Sequence, residues 1–109
     1  MEFTIEFVRT FVLGLFYAFP VLIFLVLLIA LIGQMIGKWE GWSRIDALYY
    51  SFITATTVGY GDFRPEKNFG KLFAIVIALL GLLLTGIIVA IGVKAASMAF
   101  SGIYNVSFQ

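Results

Sequence analysis

The chain sets two long uncharged runs around one short stretch of mixed character. No charged residue falls between Arg9 and Lys38, an interval of 28 residues, or within the 22 residues from Leu72 to Val93. Both runs are apolar on every helical face and reach the roughly 20 residues that a helix needs to cross a bilayer. The pattern predicts an outer helix over residues 11–36 and an inner helix over residues 70–96. Two helices that are apolar all round cannot be covered within a soluble chain of 109 residues, so this reads as a membrane protein. Pro20 lacks an N–H and crowds the preceding turn, which predicts a bend in the outer helix. Ahead of that helix, Glu2, Glu6 and Arg9 share one helical stripe. They fit either an interfacial segment over residues 1–10 or a plain extension of the outer helix.

Between the runs the pattern reverses. Five of the seven basic and four of the six acidic residues lie from Lys38 to Lys71, yet the centre, Ala47 to Tyr60, is uncharged and rich in aromatic and β-branched residues. Ser43, followed three residues later by Asp46, has the form of a helix-start capping box and predicts a helix over residues 44–55. At 1.5 Å per residue such a helix covers about 18 Å, well short of a ~30 Å hydrocarbon core. It can enter the membrane and must then turn back. Trp39 and Trp42 flank the end of the first run, where amphipathic rings suit the headgroup boundary as anchors. No repeat or linker divides the chain, so residues 1–109 read as one domain, with a tail over residues 97–109 too short for a folded module.

Composition narrows the chemistry. With 62% hydrophobic and 12% charged residues the chain is far from the usual globular mix, and a net charge of +1 without a basic run gives nucleic acid nothing to hold. Cysteine and histidine are both absent, which removes disulfides, thiolate and imidazole catalysis, and the zinc and haem sites built on those ligands. The expectation is a protein that is no enzyme and carries no cofactor. The first ten residues have no basic region followed by a small-residue cleavage site, so the first run is expected to be retained as a span.

One stretch needs a use of its own: TATTVGYGD, Thr54 to Asp62, directly after the short helix. Non-helical backbone at membrane depth persists only where it is buried in protein or lines a watery path. In a β-strand successive carbonyls point to opposite sides. If all are to face one axis, some residues must take positive φ, which glycine does without steric cost. Gly59 and Gly61 stand at alternate positions, with Val58 and Tyr60 between them free to point away into supporting protein. Carbonyls of Thr57, Val58, Gly59 and Tyr60, with the Thr57 hydroxyl at the inner end, could then replace the water around a cation. The negative end of the preceding helix would favour a cation nearby. A single strand cannot enclose an ion, whereas a closed cyclic homo-oligomer can.

The string TTVGYGD, Thr56 to Asp62, resembles the selectivity filter of potassium channels, and residues 45–96 resemble the helix, filter and inner helix of the two-span prokaryotic members. The resemblance implies an all-α membrane protein: two transmembrane helices, a re-entrant pore helix and an extended filter over residues 57–61, assembled as a homotetramer in lipid. It implies passive conduction of K+, bound along Thr57, Val58, Gly59, Tyr60 and Gly61, with no cofactor beyond the permeant ion. It also implies filter support from Tyr49, Tyr50 and Asp62. At Ile53 some bacterial relatives carry a glutamate paired with the mouth aspartate, so a filter without that pair's inactivation brake is expected here. Gly81 corresponds to a hinge glycine, and helical spacing adds Thr85, Val89 and Val93 as cavity and gate candidates. Localisation would be the prokaryotic plasma membrane with both termini cytoplasmic, although Lys and Arg counts alone would put the connection there. A less selective cation channel and a potassium transporter subunit are the competing readings. The intact filter string argues against the first, and the presence of one such unit rather than four argues against the second.

Overall fold

A computed structural model describes residues 1–107, with side chains to residue 102; the last two residues of the expected tail lie outside the described residues. Three helices account for nearly all of it: α1 over Glu2–Glu40, α2 over Arg44–Ala55 and α3 over Asn68–Ser107. α1 begins well before the predicted outer helix because nothing in its first turns interrupts it. Glu2 sits in the first turn, where the helix dipole favours negative charge, and Arg9 pairs with Glu6 at 2.8 Å. Phe3, Phe7 and Phe11 stack at four-residue spacing, with ring centroids 6.2 and 5.7 Å apart. Residues 2–10 are thus the opening turns of α1, and Pro20 lies inside the helix without ending it.

α1 ends on a glycine stop. Gly41 takes φ +78°, and the Trp42 N–H returns to the Gly37 carbonyl at 2.8 Å, so a carbonyl of the last turn is satisfied. α3 continues past residue 96 to Ser107, since no proline interrupts it. At 39 and 40 residues, α1 and α3 are each about 60 Å long, roughly twice a hydrocarbon core. Both overhang any membrane they cross.

The helices pack as two compact units. In the unit Leu22–Thr85, α2 is seated on α1 along a seam of small residues. A methyl on Gly33 would fall on the Ser51 hydroxyl, and one on Gly37 would lie 2.5 Å from the Ala47 methyl. Ser51 is fully buried, and its hydroxyl donates to the Ala47 carbonyl at 2.7 Å, so it brings no unsatisfied group into the contact. Leu25, Ile29, Ile36, Ile77 and Leu84 fill the remaining core. In the other unit, Met1–Val21 with Gly86–Gln109, Gly14 faces Ile91 and the Phe11 ring lies against Gly92, with Ala95 and Ala99 buried.

Both long helices show mostly outward-facing apolar side chains. Only 17% and 11% of their most apolar windows are buried, so lipid or further copies of the chain must cover the rest.

Candidate functional site

α2 starts where Ser43 caps it: the Ser43 hydroxyl accepts the Asp46 N–H at 3.1 Å from an extended backbone. It stops at Thr56, whose N–H and hydroxyl both donate to the Phe52 carbonyl, at 2.9 and 2.6 Å. The chain then reverses its handedness at every second residue. Thr57 has φ +66°, Gly59 +56° and Gly61 +82°, whereas Val58 and Tyr60 between them keep ordinary negative values. Two N–H groups anchor this segment to the end of α2, Thr57 to the Thr54 carbonyl and Gly59 to the Ile53 carbonyl, each at 3.1 Å. The two glycines take the left-handed region freely. Thr57 does so against its β-branched side chain, a conformation that costs about 1–3 kcal/mol and concentrates at functional sites.

The side chains of the segment find little cover within one chain. Val58 is 50% and Tyr60 70% exposed. Behind the segment a cavity of about 160 Å³ brings Tyr49, Tyr50, Ile53 and Asp62 together with Gly59, Tyr60 and Gly61. Tyr49, Tyr50, Ile53 and Asp62 therefore share one space, and Ile53 presents an alkyl group there. The two tyrosine rings take partners that spacing did not point to. Tyr50 packs on Trp42 at 4.9 Å, Trp42 on Phe63 at 5.4 Å, and Phe63 on Tyr49 at 6.2 Å, so the four rings form one aromatic arc. Trp42 belongs to this arc, and Trp39 packs on Phe69 and Phe73 of α3. Asp62 accepts the Phe63 N–H at 3.1 Å, which fixes the turn out of the segment.

The inner-helix candidates separate. Gly81 is buried against the end of α2: a methyl there would fall on the backbone of Ala55. Thr85, Val89 and Val93 are exposed in the single chain.

Glu40 was not among the sequence candidates. From the last position of α1, beyond Lys38 and the uncharged run, it accepts the Glu66 N–H at 2.9 Å and the Lys67 N–H at 3.1 Å, while the Lys67 ammonium donates to the Trp39 carbonyl at 2.6 Å. The Glu66 N–H, followed by that of Lys67 and the charges of Lys67 and Lys71, outweighs partial desolvation and holds the Glu40 carboxyl below its ordinary range. This clasp ties the start of α3 to the end of α1 on either side of the segment. Gln34 adds a second tie, donating to the Arg44 carbonyl at 2.9 Å. A signal for the seam below was available in sequence: Gly33 and Gly37, like Ala47 and Ser51, are small residues four apart. The Glu40 clasp joins residues 26 and 27 apart and leaves no local pattern.

Residues 21–98 match the model of a family described as Ion channel. Among characterised proteins the chain is 40% identical over 68 residues to TWiK family of potassium channels protein 7 of Caenorhabditis elegans, covering 62% of this chain and 12% of that one. It is 37% identical over 60 residues to Potassium channel protein 1 of Methanocaldococcus jannaschii, covering 55% of this chain and 18% of the relative. It is 50% identical over 38 residues to Potassium channel subfamily K member 5 of Homo sapiens, 31% of this chain and 8% of that one. The chain thus spans less than a fifth of the length of each of these relatives. No solved structure matches it.

Proposed function

The chain belongs to the ion-channel family, an integral membrane family rather than one of enzymes, and on that premise we propose that it forms a potassium-selective pore from four identical copies. One observation carries the reading: positive φ at Thr57, Gly59 and Gly61, in a segment set at the end of a half-length helix between two spans. Alternating handedness lets successive carbonyls turn toward one side, where a strand would alternate them. Rings of oxygen from Thr57, Val58, Gly59 and Tyr60 then take the place of the water shell of K+ as it passes down its gradient, with Gly61 ending the row. The Thr57 hydroxyl stands at the inner end. Here the carbonyl end of α2 lowers the potential for a cation.

Four copies also supply what one chain lacks. The exposed faces of Val58 and Tyr60 need cover, and neighbouring copies bring it in a closed ring. Tyr49, Tyr50 and Asp62 act as support from behind, with Ile53 leaving Asp62 without a carboxyl partner. Thr85, Val89 and Val93 line the path beyond the filter. Gly81 serves to seat α3 on α2, in place of the hinge that the family resemblance implies, because the backbone of Ala55 fills the space beside it. The pore lies in a prokaryotic plasma membrane with both termini cytoplasmic.

The test is reconstitution into liposomes with opposed potassium and sodium gradients. The reversal potential should follow potassium; one that follows sodium equally would overturn the assignment.

A further inference from the structure

The stretch that leaves the filter segment is tied down along its whole length. The Phe63 N–H donates to Asp62 at 3.1 Å, and the Phe63 ring packs on Trp42 and Tyr49 at 5.4 and 6.2 Å. Pro65 fixes its own φ, and the Glu66 N–H donates to Glu40 at 2.9 Å. Arg64 stands in the middle of this stretch. Because it precedes a proline, its backbone is restricted to extended conformations. Its side chain is nevertheless exposed, and among the described residues it forms no ion pair. An unpaired guanidinium is thus carried on a rigid mount.

Two observations set it beside the ion path. Arg64 comes three residues after Gly61, which limits their separation to about 10 Å of backbone. Both residues also line the cavity of about 160 Å³ behind the filter segment. The charge around Arg64 does not cancel it. From Lys38 to Lys71 five basic residues stand against four acidic ones, a surplus of one per chain, whereas Glu2 and Glu6 balance Arg9 and Lys94 elsewhere. Of the acidic four, Glu40 is committed to two N–H groups ahead of α3. Asp62 draws cations toward the mouth, and Arg64, two residues on, opposes it.

We propose that Arg64 makes the two entrances of the pore unequal: its four copies form a cationic ring beside the filter mouth that slows entry of K+ from the face of the connecting segment. Entry from the opposite face is left unchanged. This rests on the four-copy potassium pore proposed above. Four unit charges about 10 Å from an ion in water, screened over about 30 Å at about 0.01 M salt, lower its local concentration about eight-fold. At about 1 M salt the screening length is about 3 Å, and the factor shrinks to about 1.1.

Single-channel recording of the full chain in planar bilayers, with KCl at about 10 mM on both sides, tests it. In Arg64→Gln the current entering from the connection face should rise about eight-fold, while the current in the other direction should not change. Impermeant N-methylglucamine chloride at about 1 M should erase the difference from the wild type, and Arg64→Lys should match the wild type throughout. The chain has no cysteine, so Arg64→Cys can be modified alone while the channel is open. A methanethiosulfonate reagent bearing a sulfonate should raise current entering from the side to which it is added, and one bearing an ammonium should lower it. No change in Arg64→Gln, a change equal in both directions, one that persists at high salt, or thiol reagents of opposite charge acting alike would each overturn the proposal. A residue that merely seats the loop follows none of the expected patterns. Absence of any potassium current in the wild type would instead overturn the pore assignment, and this proposal with it.

Discussion

Alanine at Gly81 and at Gly86 separates two roles for glycine in one helix. At Gly81 the new methyl would lie 2.5 Å from the Ala55 Cα, with the Ala55 carbonyl group also in its way, whereas at Gly86 it meets nothing within 4 Å. Ordinary contact begins at 3.4 Å, so α2 and α3 would have to part by about 1 Å at Gly81. Overpacking of this kind costs about 1–3 kcal/mol. Each substitution also gains about 0.8–1.0 kcal/mol of helix propensity, a term that cancels when the two variants are compared. Gly81→Ala should therefore be less stable than Gly86→Ala by about 1–3 kcal/mol, or about 5- to 150-fold in the unfolding equilibrium. Trp39 and Trp42 lie in the same compact unit as Gly81, so their fluorescence during denaturant titration in detergent reports the loss. Variants that agree within about 0.5 kcal/mol would refute the seating role. If Gly81→Ala opened poorly yet unfolded normally, the hinge reading would regain its place.

Gly59→Ala forces a side chain into φ +56° at a cost of about 1–2 kcal/mol in each copy, and no atom of the same chain lies within 4 Å of the new methyl. Loss of selective conduction with single-chain helicity retained is expected; potassium selectivity unchanged in liposome flux would contradict the backbone role. Ile53→Glu places a carboxyl in the cavity that Asp62 lines, and should add a slow inactivation during sustained opening that single-channel recording of the wild type does not show. The Glu40 carboxyl is depressed below 4.5 in the folded state, so its contribution to stability is complete above that value and is lost as pH falls through the lower, folded one. Glu40→Gln should flatten this acid limb of the unfolding midpoint against pH, and an identical limb in both proteins would remove the clasp from the account.

The parts that could be read from sequence are those set by local chemistry. Charge-free intervals mark the spans because lipid excludes charge, and Ser43 three residues before Asp46 marks where α2 starts. Gly59 and Gly61 announce positive φ because few other residues accept it. Thr57 adopts the same region with no such sign, since a β-branched residue there is held by its surroundings and not by its own preference. Helix ends are less legible: α1 runs on through residues that fit either an interfacial segment or an extension of the outer helix, and α3 through the expected tail, because nothing in them stops a helix already propagating. The partners of Tyr49, Tyr50, Glu40 and Gly81 depend on how separate elements meet, which no period along one element contains.

The seam between α1 and α2 has a thermal consequence. Gly33, Gly37, Ala47 and Ser51 meet without a polar bond among their own side chains across the seam, because the Ser51 hydroxyl is spent on its own helix, and the Gln34 bond to the Arg44 carbonyl lies beside them. Away from water, such a contact rests on dispersion at close range and not on the release of solvent from apolar surface. Attraction of that origin does not fade on cooling as water-driven association does. The helix that leads into the Thr57–Gly61 segment should therefore keep its seating on α1 in the cold.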